Sequence, residues 1–343
     1  MQTINIKTNS GESNIYLGGK LENVKAYLPA NRKVVVVTDE HILRHYSQFL
    51  KEFPVVTIGL GEKNKNLQTI ETIFSEFVRL EVDRSSFILA VGGGIVCDVA
   101  GFAASTFMRG LPFGFVSTTL LSQVDASVGG KNGVNFQGYK NMVGVFMQPE
   151  FVICDVSMFQ TLDKNEFISG FAEIIKAAAI RNMELFEYLE ANSEKALKYD
   201  TEVLEKVIYE SVLIKARVVQ NDEKEKGERR ILNFGHTFAH SIEKNTGMLH
   251  GEAVSIGMVL ASRASVKLGL LQEQEAIRME ALLKKYGLPV KLSLEKNKVY
   301  DALLKDKKRE GENIHLVLLN GLGNALVQKV PIIQMEEIIN DLY

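Results

Sequence analysis

Phe87-Ile88-Leu89-Ala90-Val91-Gly92-Gly93-Gly94 is the stretch whose reading decides the fold. An uninterrupted apolar run of this length is how a strand buried on both faces reads. It passes through three glycines into a second apolar segment of helical character. A strand that turns through glycine into a helix is a βα unit, and the first backbone N–H groups of its helix can bind a phosphate. By itself the triplet fits either a tight turn or a phosphate loop. Gly92 and Gly94 match the first two glycines of a dinucleotide fingerprint, while Cys97 stands where the third belongs.

Working outward, residues 34–38 form a near-continuous apolar run ending at Asp39, and residues 55–60 form a second. Leu67, Ile70, Ile73, Phe74, Phe77 and Val78 recur at helical spacing. Residues 113–116 run into Ser117, Thr118 and Thr119, which adds hydroxyl donors at a further strand end. Strands alternating with helices predict a mainly parallel sheet. From about residue 164 the texture changes to long, charged, helix-favouring stretches such as 183–219 and 271–286, with a short β patch at 315–319 and 325–330. The expected architecture is therefore an α/β domain over residues 1–162 with a Rossmann-like nucleotide site, followed by a mainly α-helical domain over 163–343. There is no tandem repeat, heptad array or low-complexity segment.

The 343-residue length suits about two domains, and 46% hydrophobic with 24% charged residues excludes a disordered chain. Forty basic against 42 acidic residues leave a net charge of -2, so no general positive field exists to hold nucleic acid. Cys97 and Cys154 are too few for a disulfide framework or an all-cysteine zinc site. Residues 1–13 lack the layout of a signal peptide, and no uncharged run reaches membrane-spanning length. The expected setting is cytoplasmic.

Residues 85–130 carry only Asp98, Arg109 and Asp125 as charged residues, where the chain average would put about 11. Such a window reads as interior, and a charge inside it needs a partner or a ligand. Next comes a glycine-rich basic segment, Gly129-Gly130-Lys131-Asn132-Gly133, then Lys140-Asn141. It reads either as an anion-holding loop or as an exposed turn with solvated lysines. It lacks the spacing of a P-loop.

Three of the six histidines, His236, His240 and His250, fall within fifteen residues, a grouping that suggests a divalent metal site. Asn233-Phe234-Gly235-His236 reads as a turn entering a helix, which puts His236 and His240 one turn apart and makes both of them ligands on spacing alone. No His-Glu-x-x-His string supports a protease. Glu173 and Lys176 share one face of an apolar helix, either as an ion pair or as site residues. Glu225 and Arg229 carry the same ambiguity in a segment charged enough to be a solvated face. His41, His45 and His315 read as ordinary histidines.

Taken together, these strings resemble the 3-dehydroquinate synthases among the sugar phosphate cyclases. The matching blocks are Gly92-Gly93-Gly94 with Asp98 and Gly101-Phe102, Met108-Arg109-Gly110, Thr118-Thr119-Leu120-Leu121 with Val124-Asp125, and Gly129-Gly130-Lys131. They continue through Lys140-Asn141, residues 173–176, residues 232–236 with His240, Leu249-His250-Gly251-Glu252-Ala253-Val254, and Asp306-Lys307-Lys308. The resemblance implies an NAD-binding first domain and a second domain holding substrate and a zinc or cobalt ion on Glu173, His236 and His250. It moves His240 from metal to substrate. NAD contacts are implied for Asp39, Glu62, Lys65, Gly93, Gly94, Asp98, Thr118, Thr119, Asp125, Lys140, Thr161 and Leu162. Catalytic positions are implied for Lys131, Lys176, Lys215, Glu225, Arg229, Asn233 and His240, and substrate contacts for Arg109, Asn141, Lys307 and Lys308.

The implied reaction converts 3-deoxy-D-arabino-heptulosonate 7-phosphate to 3-dehydroquinate and phosphate, a step of the shikimate pathway towards chorismate and the aromatic amino acids. It proceeds by transient oxidation at C5, phosphate elimination, re-reduction and aldol closure, with a homodimer as the implied assembly. A sibling cyclase acting on sedoheptulose 7-phosphate or glucose 6-phosphate is one alternative, against which Lys131, Lys215, Asn233 and His240 together argue. A metal-dependent polyol dehydrogenase that releases NADH is another, and a non-catalytic NAD-binding protein a third. Three departures from the family pattern stand out: Cys97, expected to narrow the nucleotide loop, Asp163 in place of proline, and a short stretch between His236 and His250.

Overall fold

The structure is a computed structural model that describes residues 1–291, 309–310 and 313–331. Lys307 and Lys308 lie outside the described residues. The strands of the first half are β1 (Gln2–Thr8), β2 (Gly11–Leu17), β3 (Val34–Asp39), β4 (Val55–Ile58), β5 (Phe87–Gly92), β6 (Phe113–Ser117), β7 (Lys131–Phe136), β8 (Tyr139–Phe146) and β9 (Phe151–Cys154). Seven of them form one sheet in the order β1-β2-β9-β6-β5-β3-β4, in which every pair except β1 with β2 is parallel. Residues of β5, β6 and β9 are buried throughout, as strands covered on both faces must be. Helices α1 (Glu40–Leu50), α2 (Leu67–Arg79) and α3 (Gly94–Thr106) follow β3, β4 and β5. The apolar stripe expected on α2 buries Ile70, Ile73 and Phe77.

Strand order fixes where a ligand can enter. From β3 the chain steps to β4 at one edge, then crosses back to place β5 on the other side of β3. The crevice at such a reversal opens at the carboxyl ends of the two strands. Asp39 ends β3 and Gly92 ends β5, so both terminate there.

Two parts of this half depart from the sequence reading. Residues 2–17, to which the sequence reading gave no element, form a hairpin, β1 with β2, that buries Ile4, Ile6, Ser13 and Ile15 on one face. The glycine-rich basic segment is no loop: residues 131–136 and 139–146 pair antiparallel as β7 and β8. Gly133 and Gly144 face one another across that pairing, and a Cβ on Gly144 would stand 2.6 Å from the Asn132 carbonyl oxygen. Glycine there permits close strand approach.

The second half holds α4 (Lys164–Arg181), α5 (Met183–Leu197), α6 (Thr201–Asn221), α7 (His236–Thr246), α8 (His250–Lys267) and α9 (Glu273–Lys285). It also contains a small antiparallel sheet of β10 (Arg309–Glu310), β11 (Asn313–Leu319) and β12 (Ala325–Pro331). Helices α4 and α8 are buried on nearly all faces, which marks them as central. The helical stretch 183–219 divides because Tyr199 takes φ 61° and Asp200 accepts a hydrogen bond from the Val203 N–H at 3.1 Å, capping a new helix. No described helix is long and apolar enough to cross a membrane.

The chain forms two compact units, Met1–Asp163 with Lys215–Glu223, and Lys164–Ile214 with the described residues from Lys224 onward. A single cut after residue 162 misses the excursion at 215–223. Its cause lies at the two ends of that segment. Lys215 Nζ donates to the Asp125 carbonyl at 2.7 Å and to the Asp125 carboxylate. Glu223, 7% exposed, accepts from the backbone N–H of Ser10 at 3.1 Å and from the Ser10 hydroxyl.

Burial pushes the Glu223 carboxyl up, but the Ser10 and Thr8 hydroxyls and the Ser10 and Asn9 N–H groups outweigh it and hold its pKa below the usual carboxylate range. A depressed folded-state pKa contributes stability that is present above the unfolded value and lost as pH falls through the folded one. Glu223→Gln is therefore expected to cost about 1–3 kcal/mol at neutral pH, the range for a hydrogen-bonded buried charge. The gap to the parent should narrow as pH drops below 4.5, the ordinary glutamate value. Urea unfolding at neutral pH and near pH 3 checks both statements; an equal gap at the two values would contradict them.

Candidate active site

Within the second unit, Glu173 on α4, His236 at the start of α7 and His250 at the start of α8 each offer one ligand atom, and those atoms lie within 4.8 Å of one another. Glu173 Oε1 stands 3.6 Å from His236 Nε2 and 3.3 Å from His250 Nε2. The side chain of Glu173 is 2% exposed, and neither oxygen has a hydrogen bond of ordinary geometry. What its oxygens face is cationic or metal-seeking: the Lys176 ammonium one turn on, and the two imidazoles.

Close helix packing produces this convergence. A Cβ on Gly251 would lie 1.9 Å from the Ser169 carbonyl oxygen, so glycine alone lets the start of α8 touch α4 there. The Gly251 N–H donates to the Ser169 hydroxyl at 2.9 Å. Ser169 is one turn before Glu173, so this contact sets His250 over Glu173. Two turns along α8, a Cβ on Gly257 would lie 2.1 Å from the Gly235 carbonyl oxygen. Gly235, at φ 79°, is the left-handed residue that precedes His236 and starts α7. The same helix thus registers both imidazoles.

Hydrogen bonds on the far nitrogens select the tautomers. His236 Nδ1 lies 3.2 Å from the Phe234 carbonyl oxygen, and His250 Nδ1 lies 2.5 Å from Glu243 Oε1. Both partners are acceptors, so both Nδ1 atoms carry protons and both Nε2 lone pairs are directed elsewhere. Without a cation, burial works against charge on His250, but the carboxylates of Glu173 and Glu243 on either side raise its pKa to about 10. Burial raises Glu173 as well, and the charges of Lys176 and His250 overcome it to hold the carboxyl at about 2. A divalent cation substitutes for the proton on His250 Nε2, since ligands must be deprotonated. Two imidazoles, that of His250 only half-buried, and one buried carboxylate fit a zinc-type centre with an open coordination position.

The residues expected around a nucleotide all belong to the first unit. Gly93 and Gly94 open α3, and a Cβ on them would meet Thr119 Cγ2 at 3.0 Å and Ala126 Cβ at 2.8 Å. Thr118 donates its N–H to the Gly92 carbonyl at 3.1 Å, which joins the two strand ends. The helix N-terminus beside them has backbone N–H groups without partners in the helix, the kind of terminus that can bind an anion. Lys65 pairs with Asp98, whose carboxyl burial pushes up more than Lys65 pulls down. Asn135 links Glu62, through its side chain at 2.8 Å, to the Asn141 N–H at 2.9 Å and the Lys65 carbonyl. Asp39 caps α1 through the Ile42 N–H at 2.9 Å, and Thr161 meets the Tyr46 hydroxyl at 2.8 Å, with Leu162 following. Asp125 lies in a π-turn, Ser122–Ala126, and holds Lys215.

In the second unit Asn233 donates to Glu225, which sits at φ 56°. Arg229 is 3% exposed in a short 3-10 turn, Glu228–Asn233, so the solvated helical face expected for residues 222–230 does not form. His240 is exposed, with its ring centroid 5.8 Å from that of His236, and is not one of the three convergent ligands. Spacing alone therefore misleads at His240.

Other positions are spread further. Arg109 follows α3 at its far end, roughly 20 Å along the helix from Gly94, exposed and at φ 71°. The charge-poor window is thus interior at Asp98 but not at Arg109. Lys131 and Asn141 stand at opposite ends of the β7–β8 hairpin, and Lys140 adjoins Asn141. Cys97 is 1% exposed, with Sγ 3.8 Å from the Gly92 carbonyl oxygen. The short stretch between His236 and His250 consists of α7 and the three residues after it. Sequence reasoning missed Glu243 entirely. Its signal was present, because His236, His240 and Glu243 recur at i, i+4 and i+7 on one helix face.

Family models described as 3-dehydroquinate synthase N-terminal and C-terminal match residues 55–169 and 170–309. A 3-dehydroquinate synthase of Campylobacter concisus (strain 13826) is 42% identical over 335 residues, covering 95% of this chain and 94% of its own. Among solved structures, a 2-deoxy-scyllo-inosose synthase complexed with carbaglucose-6-phosphate, NAD+ and Co2+ superposes with a TM-score of 0.88 at 27% identity, over 99% of this chain and 100% of its own. A 2-epi-5-epi-valiolone synthase from Streptomyces hygroscopicus subsp. jinggangensis 5008, with NAD+ and Zn2+ bound, gives 0.87 at 27% identity, over 100% and 99%.

Proposed function

The chain belongs to the 3-dehydroquinate synthase family, and on that premise we propose that it converts 3-deoxy-D-arabino-heptulosonate 7-phosphate to 3-dehydroquinate and phosphate, using NAD and a zinc or cobalt ion. The observation that carries this reading is the convergence of Glu173, His236 and His250 on one point in a chain whose other unit presents a glycine-opened helix at a strand-order reversal. Glu173 and the Nε2 atoms of His236 and His250 hold the cation, which when bound supplies a Lewis acid at the substrate's C5 hydroxyl. NAD, when bound, supplies the acceptor and then the donor of one hydride. Gly93 and Gly94 hold its phosphates, with Asp39, Glu62, Lys65, Asp98, Thr118, Thr119, Asp125, Lys140, Thr161 and Leu162 around the remainder.

The protein's own part is mainly positioning. Lys131, Lys176, Lys215, Arg229, Asn233 and His240 offer donors to the carboxylate, hydroxyls and phosphate of one flexible substrate, while Glu225 orients Asn233. Arg109 and Asn141, with Lys307 or Lys308, are assigned to the same substrate. Once C5 is a ketone, the C6 proton is acidified and phosphate leaves by elimination, with the substrate's phosphate as base. Ring opening and aldol closure complete the sequence. The reading includes a cytoplasmic setting and a homodimer, which sedimentation of the purified protein tests.

The test of function is a turnover assay with NAD and zinc or cobalt. Phosphate release should track substrate loss with no stoichiometric accumulation of NADH. One NADH released per substrate consumed would replace the cyclase with a polyol dehydrogenase. Faster turnover of sedoheptulose 7-phosphate or glucose 6-phosphate would replace it with a sibling cyclase.

A further inference from the structure

We propose that Glu243 is a positioning residue for the metal centre, acting through His250 to set the affinity of the site for a divalent cation. This rests on the reading that Glu173, His236 and His250 hold that cation. Glu243 sits seven residues after His236 on α7, so it shares the face on which His236 stands. The helix ends at Gly247, at φ 70°, and the chain turns back within three residues to begin α8 at His250. A glutamate near the end of one helix thereby meets the histidine that opens the next. Its side chain is 5% exposed, and its Oε1 lies 2.5 Å from His250 Nδ1.

The two imidazoles of the centre are backed differently. His236 Nδ1 meets a neutral carbonyl at 3.2 Å, whereas His250 Nδ1 meets a carboxylate. A carboxylate fixes the tautomer and ring orientation, as a carbonyl does, and in addition makes Nε2 a stronger electron donor. His250 needs that support more than His236 does. The His236 side chain is 11% exposed, with the buried Phe234 and Thr237 near it in sequence, while that of His250, which likewise opens its helix, is 30% exposed. Glu243 replaces the steric support that His250 lacks with a charge-assisted hydrogen bond.

The experiment titrates metal-free full-length protein with Co2+, followed by its visible absorption and by competition with a chelator. NAD affinity and thermal unfolding of the metal-free protein serve as controls. Glu243→Ala is expected to weaken Co2+ binding about 10–100-fold and to change the intensity of the cobalt bands, with NAD affinity unchanged. Glu243→Gln, whose carbonyl still accepts from Nδ1–H, should lie between the parent and the alanine variant. Glu243→Asp, one methylene too short to reach, should resemble alanine. Co2+ affinity and spectrum equal to the parent in the alanine variant would overturn the proposal; should that variant not fold, parental binding by both glutamine and aspartate variants would do so. His250→Ala separates the two readings. If neither the parent nor His250→Ala binds Co2+ tightly, the metal site itself is wrong, whereas tight parental binding indifferent to residue 243 defeats the positioning role alone.

Discussion

Glu173→Gln is expected to lose the divalent cation and to cut turnover by about 10³-fold or more, with NAD affinity unchanged within about twofold. A neutral amide is a weak ligand for zinc, and only two imidazoles then remain from the convergent set. A Lewis acid at the reacting hydroxyl contributes several kcal/mol of transition-state stabilisation, and each 1.36 kcal/mol is about tenfold in rate. The residues assigned to NAD belong to the other unit, which is why its affinity should survive. Elemental analysis after dialysis, phosphate release and calorimetric NAD binding measure the three quantities. A variant that keeps one equivalent of metal, or loses less than tenfold in rate, would remove Glu173 from the centre.

The sequence is legible wherever burial is uniform or periodic. Residues 34–38, 87–91 and 113–116 read as strands because parallel strands covered on both faces admit few polar residues, Thr38 being accommodated by donating its hydroxyl to the Val91 carbonyl, and they appear as β3, β5 and β6. The late β patch at 315–319 and 325–330 is found as β11 and β12. Lys131 and Lys140 hid a hairpin, because lysine and glycine in an exposed two-stranded ribbon carry no alternation strong enough to distinguish it from a loop. The metal centre was only half readable. Histidine spacing identified the right helix but the wrong pair, since i, i+4 neighbours on α7 share a face without sharing a focus. What selects His250 over His240 is the approach of α8 to α4 at Gly251, a tertiary contact that no local window encodes.

Lys176→Met is expected to destabilise the metal-free protein by roughly 3 kcal/mol and the metal-loaded protein by distinctly less. The ammonium of Lys176 is 3% exposed against a carboxylate that is 2% exposed, and breaking a buried pair from one side costs about 3–5 kcal/mol because the other charge stays buried. The low end applies because a protonated His250, with its pKa raised to about 10, still faces Glu173. With the lysine gone, burial gains on the remaining charges and the Glu173 carboxyl moves up from about 2. A dication beside Glu173 supplies more positive charge than the lost ammonium, so the folded variant regains most of the deficit, while the binding term itself, about 2.7 kcal/mol at a hundredfold excess over Kd, stabilises parent and variant alike. Urea unfolding of parent and variant, each with chelator and with saturating Zn2+, gives the four numbers needed. Equal destabilisation in both conditions would mean that Lys176 and the cation do not share Glu173 as a common counter-charge, which is the electrostatic premise of the centre.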